Sequence, residues 1–217
     1  MTTVIRAAFF DFGGVVTTSP FDAFASYEQR SGLPVGFIRM LNSTDPDTNA
    51  WARLERNELD VDGFALAFEL EARAAGHSVD GRAVLSCLAG DLRPAMLTAI
   101  ERCRERMTVA VLTNNFLPDP SPSSGNASAM REWRIPAFAD LFDVVVESAK
   151  VGMRKPDPAF YALACELAEV EPTEVVFLDD LGVNLKPARE LGMTTIKVED
   201  PAVALEELER VVGFPVA

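Results

Sequence analysis

The chain has 217 residues, of which 48% are hydrophobic, and its formal net charge at pH 7 is −13. This length and composition are typical of a globular protein that buries a sizeable core. The negative charge argues against nucleic acid or an anionic membrane surface as the main partner, although a small anionic substrate is compatible with it. We expect no membrane span, because no apolar run reaches about 18 residues, and no signal peptide, because Asp11 interrupts the first apolar run.

Cysteine usage predicts a reducing location. The three cysteines, Cys87, Cys103 and Cys165, are widely spaced and form no CxxC pair. We therefore expect buried, reduced side chains in a cytoplasmic protein rather than disulfides or a metal site. The only histidine, His77, lies in a Gly-His-Ser turn, where we expect an exposed loop residue. A single histidine also excludes a histidine-rich metal centre.

The first predicted element is a buried strand at residues 4–10. This run is mostly apolar, with β-branched and aromatic members, and it ends at Asp11, with Gly13 and Gly14 close behind. An Asp at the carboxyl end of a parallel strand faces the crevice in which open α/β sheets bind ligands. The glycines allow the backbone to approach a small group and to direct N–H groups at it.

The sequence pattern of residues 17–92 predicts several helices and no convincing strand. The predicted helices are 21–30, 34–41, 49–58, a longer one from 60 or 62 to 75, and 81–88. A proline near the start of the first helix and a glycine just past its end mark its limits. We expect this segment to be an all-helical insertion.

Strands and helices alternate from residue 93 onwards. The predicted strands are 108–112, 142–146, 175–178 and 194–198, and the predicted helices are 94–106, 127–133, 157–169, 184–191 and 203–212. Loops are predicted at 117–125 and 150–156. The alternation indicates right-handed βαβ units and a parallel sheet. We expect residues 1–16 and 93–217 to form an α/β core into which 17–92 is inserted.

Four strand ends or adjacent loops carry polar side chains that can converge, because the carboxyl ends of parallel strands lie at one edge of a sheet. These residues are Asp11, Thr113, Asn114, Lys155, Asp179 and Asp180. Three carboxylates close together repel each other unless a hard cation lies among them, and oxygen ligands favour Mg²⁺. A lysine, a hydroxyl and an amide suit phosphate oxygens, and one carboxylate is then free to attack phosphorus.

At these residues the chain resembles the haloacid dehalogenase superfamily. The four motifs of that superfamily match in order at Asp11, Thr113-Asn114, Lys155-Pro156 and Asp179-Asp180. The segments 112–114, 151–156 and 177–189 look most like the N-terminal phosphatase domain of soluble epoxide hydrolases and related stand-alone proteins. The resemblance covers nearly the whole chain. It implies a doubly wound, Rossmann-like parallel sheet with a small helical cap, which here is residues 17–92.

The resemblance also implies a magnesium site and a covalent mechanism. Asp11 would be the nucleophile and a Mg²⁺ ligand, and Gly13 would offer its backbone carbonyl to the metal. Asp180 would be the second carboxylate ligand. Asn184 would support the ligands around the metal.

The same resemblance implies a phosphate site. Lys155 would be catalytic and would bind phosphate oxygens, with Asp179 orienting it. Thr113 and Asn114 would hold the phosphoryl group. The implied partner is a small phosphorylated metabolite.

One position departs from the superfamily's pattern. Its phosphatases usually carry an Asp two residues after the nucleophile, which protonates the leaving oxygen and later activates water, but here that residue is Gly13. A positioned general acid/base contributes roughly 10²–10⁴ in rate. The absence of one leaves a slow phosphatase, or one that uses water or a cap group for this step.

Two other functions remain open at this point. A binding or regulatory protein could keep the metal and phosphate pocket without turnover. Dehalogenases of the superfamily also lack the acid/base Asp, but they do not usually keep a metal-binding Asp pair, which is intact here at residues 179–180. The retained pair favours phosphoryl chemistry.

The cap is expected to select the substrate. Trp51, Arg53, Phe64 and Phe68 are candidate lining residues of the substrate pocket. For each of them, core packing or a solvated helix face is the more common role.

Overall fold

The computed structural model describes residues 4–117 and 139–217 of the chain. Five parallel strands form one sheet in the order β3-β2-β1-β4-β5. The strands are β1 (Ala7–Phe10), β2 (Thr108–Thr113), β3 (Val144–Glu147), β4 (Val175–Asp179) and β5 (Thr194–Lys197). The described helices are α1 (Pro20–Ser31), α2 (Phe37–Ser43), α3 (Ala50–Glu55), α4 (Val61–Ala74), α5 (Gly81–Ser86), α6 (Pro94–Arg104), α7 (Ser148–Val151), α8 (Pro158–Ala168), α9 (Gly182–Glu190) and α10 (Pro201–Val212).

Strand β1 is the centre of the sheet, and its side chains face two different cores. Ala8 and Phe10 pack into the apolar cluster that contains α6 and α10, whereas Ala7 and Phe9 pack into the cluster that contains α8 and α9. A strand covered on both faces must be apolar at every position, which explains the uninterrupted run in the sequence. The parallel sheet with helices on both faces confirms the predicted doubly wound α/β fold.

The strand order places a crevice beside β1. The chain adds β2 and β3 on one side of β1, and β4 and β5 on the other. Open parallel sheets bind ligands at such a reversal of direction, outside the carboxyl ends of the strands. The fold thus brings the ends of β1 and β4 to the expected ligand position.

The helices between residues 17 and 92 have an apolar cluster of their own. Phe24, Ile38, Leu54, Phe64 and Phe68 belong to it. The segment leaves and rejoins the sheet region at one place, because residues 17 and 92 form an antiparallel bridge. We propose on this basis that residues 17–92 are the inserted unit and that 1–16 and 93–217 are the core.

Several predicted boundaries differ from the structure. Strand β1 is shorter than the predicted 4–10, because its neighbours pair only with Ala7–Phe10. Helix α2 begins at Phe37, later than predicted, since Gly36 before it has a left-handed φ of 77°. The predicted loop at 150–156 begins inside α7. The predicted helix at 127–133 and most of the predicted loop at 117–125 lie outside the described residues.

The cysteines and the histidine partly match expectation. Cys103 and Cys165 are buried and Cys87 is half-buried, and all three are free. Burial raises the thiol pKa of Cys103 to about 12 and that of Cys165 to about 11, so both remain protonated at neutral pH. The prediction of an exposed His77 is wrong: it is half-buried, because its ring packs edge-on against Phe37 at 4.7 Å. Within residues 4–117 and 139–217, no helix has the length and hydropathy needed to cross a bilayer.

Candidate active site

The predicted site residues meet at the carboxyl edge of the sheet. A cavity of about 720 Å³ opens there, and its wall includes most of them. The members of this wall that the sequence had singled out are Asp11, Gly13, Thr113, Asn114, Lys155, Asp180 and Asn184. Asp179 lies behind them and is fully buried.

Lys155 forms ion pairs with two carboxylates at the ends of neighbouring strands. Its Nζ lies 2.8 Å from Oδ1 of Asp11 and 2.7 Å from Oδ2 of Asp179, at the ends of β1 and β4. The side chain is 1% exposed. Burial lowers the pKa of Lys155, but the charges of Asp11 and Asp179 outweigh burial and raise the pKa above its usual value. Lys155 is therefore a fixed, desolvated cation.

Asp179 is held by several donors. Its Oδ1 accepts hydrogen bonds from the backbone N–H of Leu181 at 2.8 Å and from Nδ2 of Asn184 at 3.1 Å. Asn184 is itself fixed, because the hydroxyl of Tyr161 donates to its backbone carbonyl at 2.7 Å. Asp179 is thus held in a fixed position against Lys155.

A group of three carboxylates could hold a metal ion. One oxygen each from Asp11, Asp179 and Asp180 lies within 4.8 Å of the others. Burial raises the pKa of Asp11 well above its usual range, with Lys155 opposing and the other two carboxylates adding to the effect. Burial, and then the charge of Asp179, raise the pKa of Asp180 to about 6. Oxygen ligands that repel each other in this way fit a hard divalent cation such as Mg²⁺.

The two glycines after β1 have different roles. Gly14 has φ +82°, and a Cβ built on it would lie 2.3 Å from Oδ2 of Asp180. A side chain there would displace the carboxylate. Gly13 has φ −70° and ψ 125°, an ordinary extended conformation, and a Cβ at that position would meet no heavy atom within 4 Å. Nothing in the backbone around Gly13 therefore demands glycine.

Asn114 connects the strand edge to the loop that carries Lys155. Its Oδ1 accepts the backbone N–H of Lys155 at 2.9 Å, and its Nδ2 donates to the Lys155 carbonyl at 3.0 Å. Nδ2 also donates to Oε2 of Glu55 at 3.2 Å. The side chain therefore fixes the position of Lys155 as well as bordering the cavity, while the neighbouring Thr113 is buried at the end of β2.

Glu55 is a site residue that the sequence analysis missed. It lies at the end of α3, is buried, and borders the cavity. Its Oε1 accepts Nε1–H of Trp51 at 2.9 Å, and its Oε2 lies 2.7 Å from Nε of Arg154. The pKa of Glu55 is raised above its usual value, because burial outweighs the opposing effects of Arg154 and the Trp51 donor. In the sequence Glu55 resembles any solvated helix residue. Its position one helical turn after Trp51 was the only hint of burial.

The rest of the cavity wall is largely apolar. Apolar side chains from the helical segment and from the end of β2 contribute to it: Phe21, Phe24, Trp51, Leu54, Leu85, Leu88 and Phe116. Trp51 was a candidate lining residue, and it does form part of this wall.

The other three predicted lining residues are absent from this wall. Phe64 and Phe68 stack on each other at 5.2 Å inside the helical cluster and are completely buried. Arg53 turns towards Glu58, 3.9 Å away. Phe64 and Phe68 thus belong to the apolar core of the helical segment, and Trp51 packs against both of them.

Comparison with known proteins identifies a matching family and several similar proteins. A family model described as haloacid dehalogenase-like hydrolase matches residues 5–192. Bifunctional epoxide hydrolase 2 of Sus scrofa is 33% identical over 96% of this chain, which spans 39% of that relative's length. Sesquiterpene phosphatase astK of Aspergillus oryzae is 29% identical, with 98% of this chain and all of the relative aligned.

Solved structures confirm the fold. A haloacid dehalogenase family enzyme from Bacteroides thetaiotaomicron, solved with magnesium and inorganic phosphate, superposes with a TM-score of 0.59. The alignment covers 90% of this chain and 96% of that chain at 20% sequence identity. At this identity the likeness concerns the fold alone. The expected relation to epoxide hydrolases is confirmed by the sequence match given above.

Proposed function

The chain belongs to the haloacid dehalogenase-like hydrolases, and we propose that it is a Mg²⁺-dependent phosphatase that forms an aspartyl-phosphate on Asp11. The observation that carries this proposal is the buried Lys155 ammonium between Asp11 and Asp179, beside a third carboxylate, Asp180. This arrangement suits a dianionic phosphate ester and a divalent cation together. The relative named as a phosphatase supports the same reaction class.

Asp11, Asp180 and the backbone carbonyl of Gly13 would hold Mg²⁺, with Asn184 supporting Asp179 beside them. The fit rests on the short spacing and mutual repulsion of the carboxylates. The bound ion supplies positive charge that offsets the carboxylates and the phosphoryl oxygens. Asp179 keeps its hydrogen bonds to the protein and orients Lys155.

The covalent step uses Asp11 as nucleophile. A carboxylate oxygen of Asp11 attacks phosphorus, the bond to the leaving oxygen breaks, and the electron pair leaves with that oxygen. Lys155 and the Thr113 hydroxyl bind the phosphoryl oxygens, while the Asn114 side chain, whose N–H bonds go to the Lys155 carbonyl and to Glu55, holds Lys155 beside them. Water then attacks the aspartyl-phosphate, which releases inorganic phosphate and restores Asp11.

Gly13 offers no proton to the leaving oxygen. Expulsion of an alkoxide is then slow, whereas a phenolate or a carboxylate departs without a proton donor. We propose that the preferred substrates are aryl or acyl phosphates of small metabolites. We also propose a cytoplasmic location, which the three free cysteines support.

The test is a phosphatase screen over aryl, acyl and alkyl phosphates, with Mg²⁺ and with a chelator, alongside Asp11→Asn as the inactive control. We expect Mg²⁺-dependent release of phosphate that is lost in the control. Hydrolysis that continues under chelation would contradict the proposed metal role.

Gly13 also favours a second candidate, a protein that binds metal and phosphate without turnover. Calorimetry with Mg²⁺ and inorganic phosphate distinguishes the two, because binding without phosphate release on any ester would support this second candidate. Halide release from haloacids, independent of metal, would instead support a dehalogenase.

A further inference from the structure

We propose that Glu55 selects the substrate by charge. By neutralising Arg154 in the cavity wall, it makes the site accept phosphate esters with an uncharged organic group and disfavour those with a second anionic group. This inference rests on the proposed phosphatase function and names the class of substrate.

The two side chains form a partly buried ion pair that faces the cavity. Nε of Arg154 lies 2.7 Å from Oε2 of Glu55, and the side chains are 20% and 11% exposed. Both residues border the cavity together with Asp11 and Lys155. The pair therefore lies along the path of an ester whose phosphate is at the strand edge.

Glu55 is fixed in this position by its hydrogen bonds and by the charge of Arg154. Its oxygens face three donor groups, namely the indole N–H of Trp51, the amide of Asn114 and the guanidinium of Arg154. Donors on both oxygens favour the ionised form of a carboxyl group and fix its orientation. An incoming anion would have to replace Glu55 at Arg154, which would leave a buried carboxylate without its cation.

Arg154 is anchored and has spare capacity for an anion. One terminal nitrogen donates to the carbonyl of Pro46 at 2.8 Å, so the guanidinium is held in place. Its Nε is buried and has no aligned hydrogen-bond acceptor, although Glu55 is close enough to pair with it by charge. A planar guanidinium held in this way can bind a carboxylate when no other anion neutralises it.

The remaining wall does not supply another buried charge for the organic group. Among the described lining residues away from the strand edge, the other charged side chains are Arg39 and Asp47, and both are exposed. Arg39 lies over the ring of Phe21 at 4.9 Å, where solvent screens its charge. The organic group thus meets mainly apolar side chains, and the Glu55–Arg154 pair is the charged group buried beside it.

The test compares phenyl phosphate with para-(carboxymethyl)phenyl phosphate, two esters whose leaving phenols have similar pKa values and which differ by one anionic group. The measured quantity is the ratio of their kcat/KM values, so a general loss of activity cancels. We expect the wild type to prefer phenyl phosphate. Glu55→Gln should reduce that preference about tenfold, the size of one charge-assisted hydrogen bond, because Arg154 becomes available to the second anion.

Two further variants keep the test decisive if Glu55→Gln folds poorly. Arg154→Gln leaves the charge of Glu55 unopposed, so it should increase the preference for phenyl phosphate. Glu58→Gln is the matched control, since Glu58 follows closely in the chain but is exposed and pairs with Arg56 at 2.7 Å. It should leave the ratio unchanged. A merely structural role of Glu55 would affect both esters alike.

Equal ratios in the wild type, Glu55→Gln and Arg154→Gln would overturn the inference, as would a wild type that prefers the carboxylated ester. If the wild type hydrolyses neither ester, the proposed function fails, but calorimetric dissociation constants for the same two esters still give the ratio. Shifts of opposite sign in the two variants support charge selection in either assay.

Discussion

The loops that follow β1 and β4 face each other across the site, and they differ in what they retain. Both begin with a buried Asp that contacts Nζ of Lys155, at 2.8 Å for Asp11 and 2.7 Å for Asp179. The loop after β4 then supplies a further carboxylate, Asp180, and a network of donors to Asp179. The loop after β1 supplies only glycines at positions 13 and 14.

The difference separates two parts of the chemistry. Charge stabilisation comes from side chains that the fold holds from several directions. In the proposed phosphatase, a proton donor for the leaving group is expected at position 13, where the backbone is ordinary and the space is open. The protein thus has a complete set of charged side chains at the site but no side chain at position 13. Substitutions can change either of these two features separately.

The largest effect is expected for Asp11→Asn. The amide is nearly isosteric but is a poor nucleophile and a weaker metal ligand, so turnover should be abolished while the fold remains. Initial rates and the melting temperature of the purified variant check both statements. Residual activity above about five per cent of wild type would rule out nucleophilic attack by Asp11.

The two aspartates after β4 should separate stability from metal binding. Asp179→Ala removes a fully buried partner of Lys155, so it should lower the free energy of unfolding by roughly 3–5 kcal/mol. Asp180→Ala removes a half-buried carboxylate that burial and the charge of Asp179 disfavour, so stability should change little while the Mg²⁺ requirement rises more than in Asp179→Ala.

Denaturant unfolding and calorimetric Mg²⁺ titration of both variants measure these two quantities. Mg²⁺ should also raise the melting temperature of the wild type, because it binds only the folded protein. Equal effects of the two substitutions on Mg²⁺ binding would mean that their roles are misassigned.

Smaller effects are expected from alanine at the two glycines after β1. Gly14→Ala forces a left-handed φ on a side chain and a close approach to Asp180, so it should cost about 1–3 kcal/mol of stability and weaken Mg²⁺ binding. Gly13→Ala should stay within about 0.5 kcal/mol of the wild type, because it meets open space in an extended conformation. A reversed order of stability would contradict the described turn.

Local sequence signals were sufficient for the sheet and its edge. The apolar runs before Asp11 and Asp179 indicate buried parallel strands. Parallel strands necessarily bring their carboxyl ends to one edge of the sheet. The convergence of Asp11 and Asp179 therefore follows from topology once the strands are recognised, whereas Lys155 lies in a loop that the strand pattern alone does not place.

Contacts between distant segments were beyond the reach of the sequence. Glu55 and Arg154 lie on different parts of the chain, and nothing local shows that one helix end packs against the Lys155 loop. Phe64 and Phe68 were candidate lining residues, but residue type and position do not tell the core face of a helix from a pocket wall. The lack of strain at Gly13 is a backbone property that residue type alone does not reveal.

We propose that this protein has the electrostatic site of a phosphatase without a proton donor at position 13. The direct measurement is the hydrolysis rate against leaving-group pKa for the wild type and Gly13→Asp, with Mg²⁺ present. We expect a steep dependence in the wild type that flattens in the variant, with a gain in rate on alkyl esters of at most about 10²–10⁴. A shallow dependence already present in the wild type would contradict it, because another group would then be delivering the proton.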